Sequence, residues 1–392
     1  MTTHGRSPVA GWSALWWQRL PAQIAQYSVG FGSALTDGIH LVRWRPLAAM
    51  APAACLVVGA ALAVAQTGPA FTGSLVIVGC VVLLGLSGVQ LGLWAWLGYV
   101  VANLPFGEHA VGFSTGTMGR SLGTATSVVM NDALLGVLAV GIPFALLAVR
   151  IEVRSLGWHR WIGDAGEALL YSLAAAASYY LWVQALPVLV RPVFTLQGAQ
   201  PTPESIEPLQ RWWGALTILA LLGSAGRVLL ERRAVGPAVL TAIRDANQRF
   251  TSLAGSRRLP PALMRVLAAA GSTLLLLGLV SNAVQAAITF AAVLVLLALR
   301  DRIRDAGWLQ PMATIPLFVR YAIGVMCCVV ITRLTLAVFT RRLFGIFVGW
   351  TTDSFVPAWL AVLASVTVII LLTAPVRAVP AASPAAVEGG RR

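Results

Sequence analysis

Asn131 and Asp132 stand together near the start of an apolar run, Val128 to Val149, where a carboxylate can hold a proton or ligate a cation. A charge there is costly unless it is paired or hydrated, and Arg120 or a group on a neighbouring helix is the expected partner. A second set lies in the run Trp212 to Leu230, where Gly223, Ser224 and Gly226 lead directly into Arg227. Pro52 and Gly59 occupy a comparable place in the first run, Pro46 to Ala65. Such residues let a membrane helix unwind and offer its backbone groups to a solute or ion. The competing reading is close helix packing through small residues, which also covers Gly88 and Gly92 at GxxxG spacing. A third set sits in the polar stretch Leu104 to Ser127, which carries Glu108, His109 and Arg120. It is expected to be an outer loop, or a re-entrant segment lining a vestibule.

Gly85 to Gly88 reads GLSG, and His109 to Gly116 reads HAVGFSTG. Together they resemble the GxSG and HxxGxxxG motifs of the rhomboid intramembrane proteases, which would make Ser87 the nucleophile and His109 its base. Only the stretch from Gly85 to Gly116 is covered. The span arrangement below sets the two residues on opposite sides of a helix, so this reading ranks third. Zinc catalysis is not expected, because His4, His40, His109 and His159 fall in separate segments without an HExxH pair. All 28 basic residues are arginine, so a Walker A lysine and a lysine Schiff base are excluded. Cys55, Cys80, Cys327 and Cys328 lie inside apolar runs with no metal-ligand spacing. No cofactor is expected.

The elements that must position these residues are membrane helices. The chain is 58% hydrophobic and 11% charged, against about 25% charge in soluble proteins. Candidate spans are Pro46 to Ala65, Val128 to Val149, Glu167 to Val190, Trp212 to Leu230, Ile315 to Phe339 and Val356 to Ala374. Two further runs, Phe71 to Leu104 and Leu263 to Leu299, are too long for one crossing. As a single helix the first would measure roughly 51 Å against a hydrocarbon core of about 30 Å. Both are expected to be tight hairpins, turning near Ser87, Gly88 and Gln90 and near Ser281 and Asn282. That makes about ten spans. With both termini cytoplasmic, 20 arginines fall inside and five outside, a better asymmetry than the 16 and nine of a nine-span arrangement. Arg320 and Arg333 lie within one span and are expected to snorkel to opposite interfaces.

The fold expected is therefore an all-α polytopic bundle in the inner membrane. An N-terminal interfacial amphipathic segment (1–45), bent at Pro21, precedes the transmembrane domain (46–375), and a disordered tail (376–392) follows it. No cleavable signal is recognisable before residue 46, so the N-terminus is expected to be retained. A second interfacial helix is expected at Pro237 to Leu253, and a solvated connector at Pro192 to Pro208. In each five-span half (46–190 and 212–375) the hairpin falls at the second and third helices, and LLGLSGVQ at Leu83 to Gln90 echoes LLGLVSNAVQ at Leu276 to Gln285. An odd number of spans per half implies an inverted repeat, as in many secondary transporters. The net charge of +14 is explained by arginines in loops that meet anionic headgroups, and no nucleic-acid motif accompanies it. The leading expectation is a permease for a small solute. The alternative is a non-catalytic scaffold or assembly factor for envelope machinery.

Overall fold

The computed structural model describes residues 8–65, 75–106, 128–155, 159–196, 211–234, 236, 239–243, 245–246, 260–276, 283–303, 310–313, 315–340 and 355–373. Among these there are helices and turns but no strand. Three helices are long and apolar enough to cross a membrane: Pro46–Val64, Val128–Arg150 and Trp213–Ala234, with mean hydropathies of 2.3, 2.2 and 1.6. Their outer faces carry large apolar side chains such as Val57 on the first and Ile218 and Leu222 on the third, all exposed. An apolar face turned outward suits lipid rather than water.

Within the first compact unit (Met1–Ala148 and Ile162–Pro260) the N-terminal segment folds against the bundle. It is not the single surface helix that its periodicity predicts. Helix α1 (Pro8–Ala14) runs through a π turn (Leu15–Arg19) into α2 (Leu20–Ala25). The chain then breaks at Ser28, whose extended backbone and hydroxyl cap α3 (Val29–Ala34) by accepting the Phe31 N–H at 3.4 Å. The break is not at Pro21, because the π turn just before it absorbs the proline's clash with the preceding turn. Gly38, at φ 96°, turns the chain into a 3₁₀ turn (Ile39–Arg43). Trp17, Ala22, Ala25 and Leu35 are buried, while Trp12, Tyr27 and Phe31 stay exposed.

Helix α4 (Arg45–Val64) opens with Pro46 in its first turn and stays helical through Pro52 and Gly59. Helices α5 (Leu75–Ser87) and α6 (Val89–Phe106) are separated by Gly88 alone, at the expected hairpin turn. Glycines set the spacing around α6. A side chain at Gly59 would strike the Ala95 carbonyl, one at Gly98 the Leu56 carbonyl, and one at Gly85 or Gly92 the Ala139 carbonyl. Gly59 is thus a point of α4–α6 contact, as the packing reading requires.

Helix α7 contains the span Val128–Arg150 and is π-helical at Val137–Gly141, just before Pro143. Helix α8 (His159–Leu196) is kinked at Gly163 (φ 64°) and continues through Pro192 into the region read as connector. Helix α9 (Trp213–Ala234) packs on α5.

Three prolines free backbone carbonyls, and a buried side chain meets each one. The Leu20 N–H bonds to the Leu15 carbonyl, so the Trp16 carbonyl, with Pro21 five residues on, lacks an intrahelical donor and accepts from Gln90 Nε2 at 2.9 Å. Pro143 repeats this arrangement: Ile142 N–H bonds to Val137 O, and the freed Leu138 carbonyl accepts from the Tyr179 hydroxyl at 2.8 Å. Pro52 cannot donate to Ala48 O, which accepts from Trp17 Nε1 at 2.8 Å. In lipid no water can take these roles, so each carbonyl requires a protein donor.

The second unit comprises Val149–Trp161 and Pro261–Arg392. In it α10 (Pro261–Leu276) pairs with α11 (Ala283–Ile303), and α12 (Leu317–Thr340) with α13 (Phe355–Thr373). The expected turn at Ser281 and Asn282 lies outside the described residues. Arg320 departs from the snorkelling expectation: it is buried, and Nη1 donates to the Leu372 carbonyl at 3.1 Å in the last turn of α13. The side chain of Arg333 and the tail 376–392 are outside the described residues. Helix α9 lies in the first unit, which ends at Pro260. Of the stretch Pro237 to Leu253, Val239, Ala242 and Ala246 are buried, whereas Leu240 and Ile243, read as one face with Val239, are exposed.

Candidate functional site

The glycine-serine run of α9 does not unwind. Ser224 is fully buried, and its hydroxyl bonds back within the helix to Ala220 O at 2.6 Å and Leu221 O at 3.0 Å. Gly223 faces α5, where an added Cβ would lie 3.1 Å from Leu83 and 3.4 Å from Leu86. At Gly226 an added Cβ would meet nothing within 4 Å. Gly226→Ala is therefore expected to leave the melting temperature of the detergent-purified protein unchanged or higher, since alanine gains up to about 1 kcal/mol of helix propensity. A clear fall would mean that this face is occupied.

Arg227, one residue further, is 97% buried, with every donor group of its fork engaged. Nη2 pairs with Asp37 Oδ1, Nε donates to Glu231 Oε1 at 2.9 Å, and Nη1 donates to Tyr171 Oη at 3.2 Å and Leu86 O at 3.3 Å. The guanidinium carbon also lies 5.7 Å from the Tyr171 ring centroid. The other Asp37 oxygen accepts from the Val89 N–H at 2.8 Å. Leu86 is at the end of α5 and Val89 at the start of α6, so both groups belong to helix ends that lack intrahelical partners. A one-residue turn offers nothing else to satisfy them. The ion pair caps both helices at once, and Gly88 admits the Asp37–Gly38 backbone, 3.3–3.4 Å from where its Cβ would stand. Arg43 adds a second link, donating from Nη1 to the Arg233 carbonyl in the last turn of α9.

Asp132 is the opposite case. It is 97% buried, and among the described residues no cation pairs with it. Oδ1 accepts from Asn103 Nδ2 of α6 at 2.9 Å, and its backbone carbonyl accepts from Trp96 Nε1 at 2.7 Å. Oδ2 is buried with no hydrogen-bond partner among the described residues. Asn131 beside it is also buried. The partner from a neighbouring helix is the amide of Asn103; Arg120, the other expected partner, lies with Glu108 and His109 outside the described residues. Chemically, Asp132 offers one oriented oxygen and one open oxygen, a donor set for a proton or for part of a cation shell. No group of three acidic, histidine or cysteine side chains able to hold a metal occurs among the described residues.

Ser87, the nucleophile in the protease reading, is exposed and donates to the Leu83 carbonyl at 2.7 Å. Sequence reasoning missed Asp37, Asn103 and Tyr171, and read Gln90 only as a turn marker. The one local cue was Asp37–Gly38, a turn dipeptide inside an otherwise helical pattern. The structure brings Asp37 to Arg227 and Asn103 to Asp132. Pro52 and Gly59 lie elsewhere, on α4 against Trp17 and α6. Comparison of the chain with protein-family models, curated proteins and solved structures returned no match.

Proposed function

We propose that the protein is a multi-pass inner-membrane permease for a small solute, with about ten spans in two inverted halves, both termini cytoplasmic and arginine loops against anionic headgroups. The observation that carries this reading is Asp132, a buried carboxyl inside a span with an open oxygen and, among the described residues, no cationic partner. Such groups are expensive in a membrane and belong to substrate or ion pathways. The pathway would run beside α6 and α7, while Arg227 and Asp37 hold the α5–α6 hairpin that forms its wall. Reconstituted in liposomes, the protein is expected to show solute flux that falls at least tenfold in Asp132→Asn and survives in Gly226→Ala. Normal flux in Asp132→Asn would remove the site assignment.

Exposed Trp12, Tyr27 and Phe31 on the clamped N-terminal segment favour a second reading, a scaffold that docks envelope proteins through this face. No flux across a broad solute panel, with intact fold, would favour the scaffold.

A further inference from the structure

We infer that Asp132 is a proton-binding site, loaded in the arrangement described here and discharged through Oδ2; only its role in transport rests on the permease reading. An ionised carboxylate at this depth would need a cation or several donors to offset its lost hydration. Among the described residues it has one neutral amide, Asn103, on Oδ1. The buried guanidinium of this unit, Arg227, is committed to Asp37 at the other end of α6. Asn103 is 14 residues beyond Val89, so about 21 Å of helix separates the two carboxyls.

Among the described residues, the hydrogen bonds that neighbouring helices make to α7 supply no charge either. Helix α6 presents Asn103 and Trp96, and α8 presents the titratable hydroxyl of Tyr179, which donates to the Leu138 carbonyl. A sodium or calcium ion fits poorly, because calcium takes about six to eight oxygens and the described polar side chains here are those of Asp132, Asn131 and Asn103. A proton needs one oxygen. Asn103 is a positioning residue: by holding Oδ1 as acceptor it leaves Oδ2 as the atom that is protonated. In discharge the Oδ2–H bond breaks, the electron pair stays on Oδ2, and the proton passes to a water molecule as hydronium; loading is the reverse.

Infrared difference spectroscopy on the full-length protein in phospholipid nanodiscs reads this directly. At neutral pH the wild type is expected to show the carbonyl stretch of a protonated carboxyl that shifts in D₂O, absent in Asp132→Asn and displaced in Asp132→Glu. If Asp132→Asn fails to fold, the displaced band of Asp132→Glu makes the assignment alone. A wild type without the band, a band unchanged in both variants, or a band abolished by sodium or calcium would each overturn the proposal. The band without solute flux in any assay would sink the permease reading and leave the proton site standing. Flux with no band would do the reverse.

Discussion

Arg227→Leu is expected to destabilise the protein by about 3–5 kcal/mol, the cost of stranding a buried charge when its partner is removed. The stranded group is Asp37, which would keep one acceptor role toward Val89 N–H and lose its counter-charge. Asp37→Leu should cost a similar amount by stranding Arg227, although Glu231 offers that guanidinium a remaining carboxylate. The double variant Arg227→Leu, Asp37→Leu separates the two roles of the pair. If charge alone mattered, an apolar pair of similar volume would restore most of the stability. It cannot do so fully, because the Leu86 carbonyl and Val89 N–H at the hairpin turn lose their caps, at about 1–3 kcal/mol for each buried group left bare. Asp37→Asn, which keeps an acceptor for Val89, should lie between wild type and Asp37→Leu. Thermal unfolding in detergent ranks the four variants. Arg227→Leu within 1 kcal/mol of wild type, or a double variant as stable as wild type, would show that the pair does not hold the turn.

That turn was legible in the sequence, whereas the groups that hold it were not. An apolar run from Phe71 to Leu104 is too long for one crossing, and Ser87, Gly88 and Gln90 mark where it bends; the break falls at Gly88. Length against bilayer thickness is a local rule, and so are the bounds of Pro46–Val64 and Trp213–Ala234. Arg227 was conspicuous as an arginine inside a span. Its partner lies 190 residues earlier, in a segment whose helical periodicity hides a turn. Asp132 was legible for the same reason as Arg227, and Asn103 was hidden in the same way, 29 residues away on another helix. Local patterns report which groups are costly; they do not report which distant side chain relieves the cost. The glycines of α4 and α9 illustrate a second ambiguity. Residues that permit unwinding also permit close packing, and only the neighbours decide. At Gly59 and Gly223 those neighbours are Ala95 and Leu83.

Trp17→Ala should be the other large loss, about 3–5 kcal/mol by the cavity it leaves, since the ring is fully buried among Ala48, Ala51, Cys55, Leu91 and Ala95. Its hydrogen bond can be weighed separately. Trp17→Phe keeps most of the ring but withdraws the indole N–H from the Ala48 carbonyl, which Pro52 cannot serve, so a buried acceptor is left bare at about 1–3 kcal/mol. Pro52→Ala supplies a backbone N–H four residues after Ala48. In that background Trp17→Phe should therefore cost clearly less than in the wild type, because the helix closes its own bond. Equal costs in the two backgrounds would mean that the carbonyl is satisfied in another way and that Pro52 and Trp17 are independent. A coupled result would extend to Pro21 with Gln90 and Pro143 with Tyr179, where the same vacancy in a helix meets a donor from another helix. Prolines in these spans then act as attachment points. Each trades an intrahelical bond for an interhelical one, and fixes which helix face its partner must present.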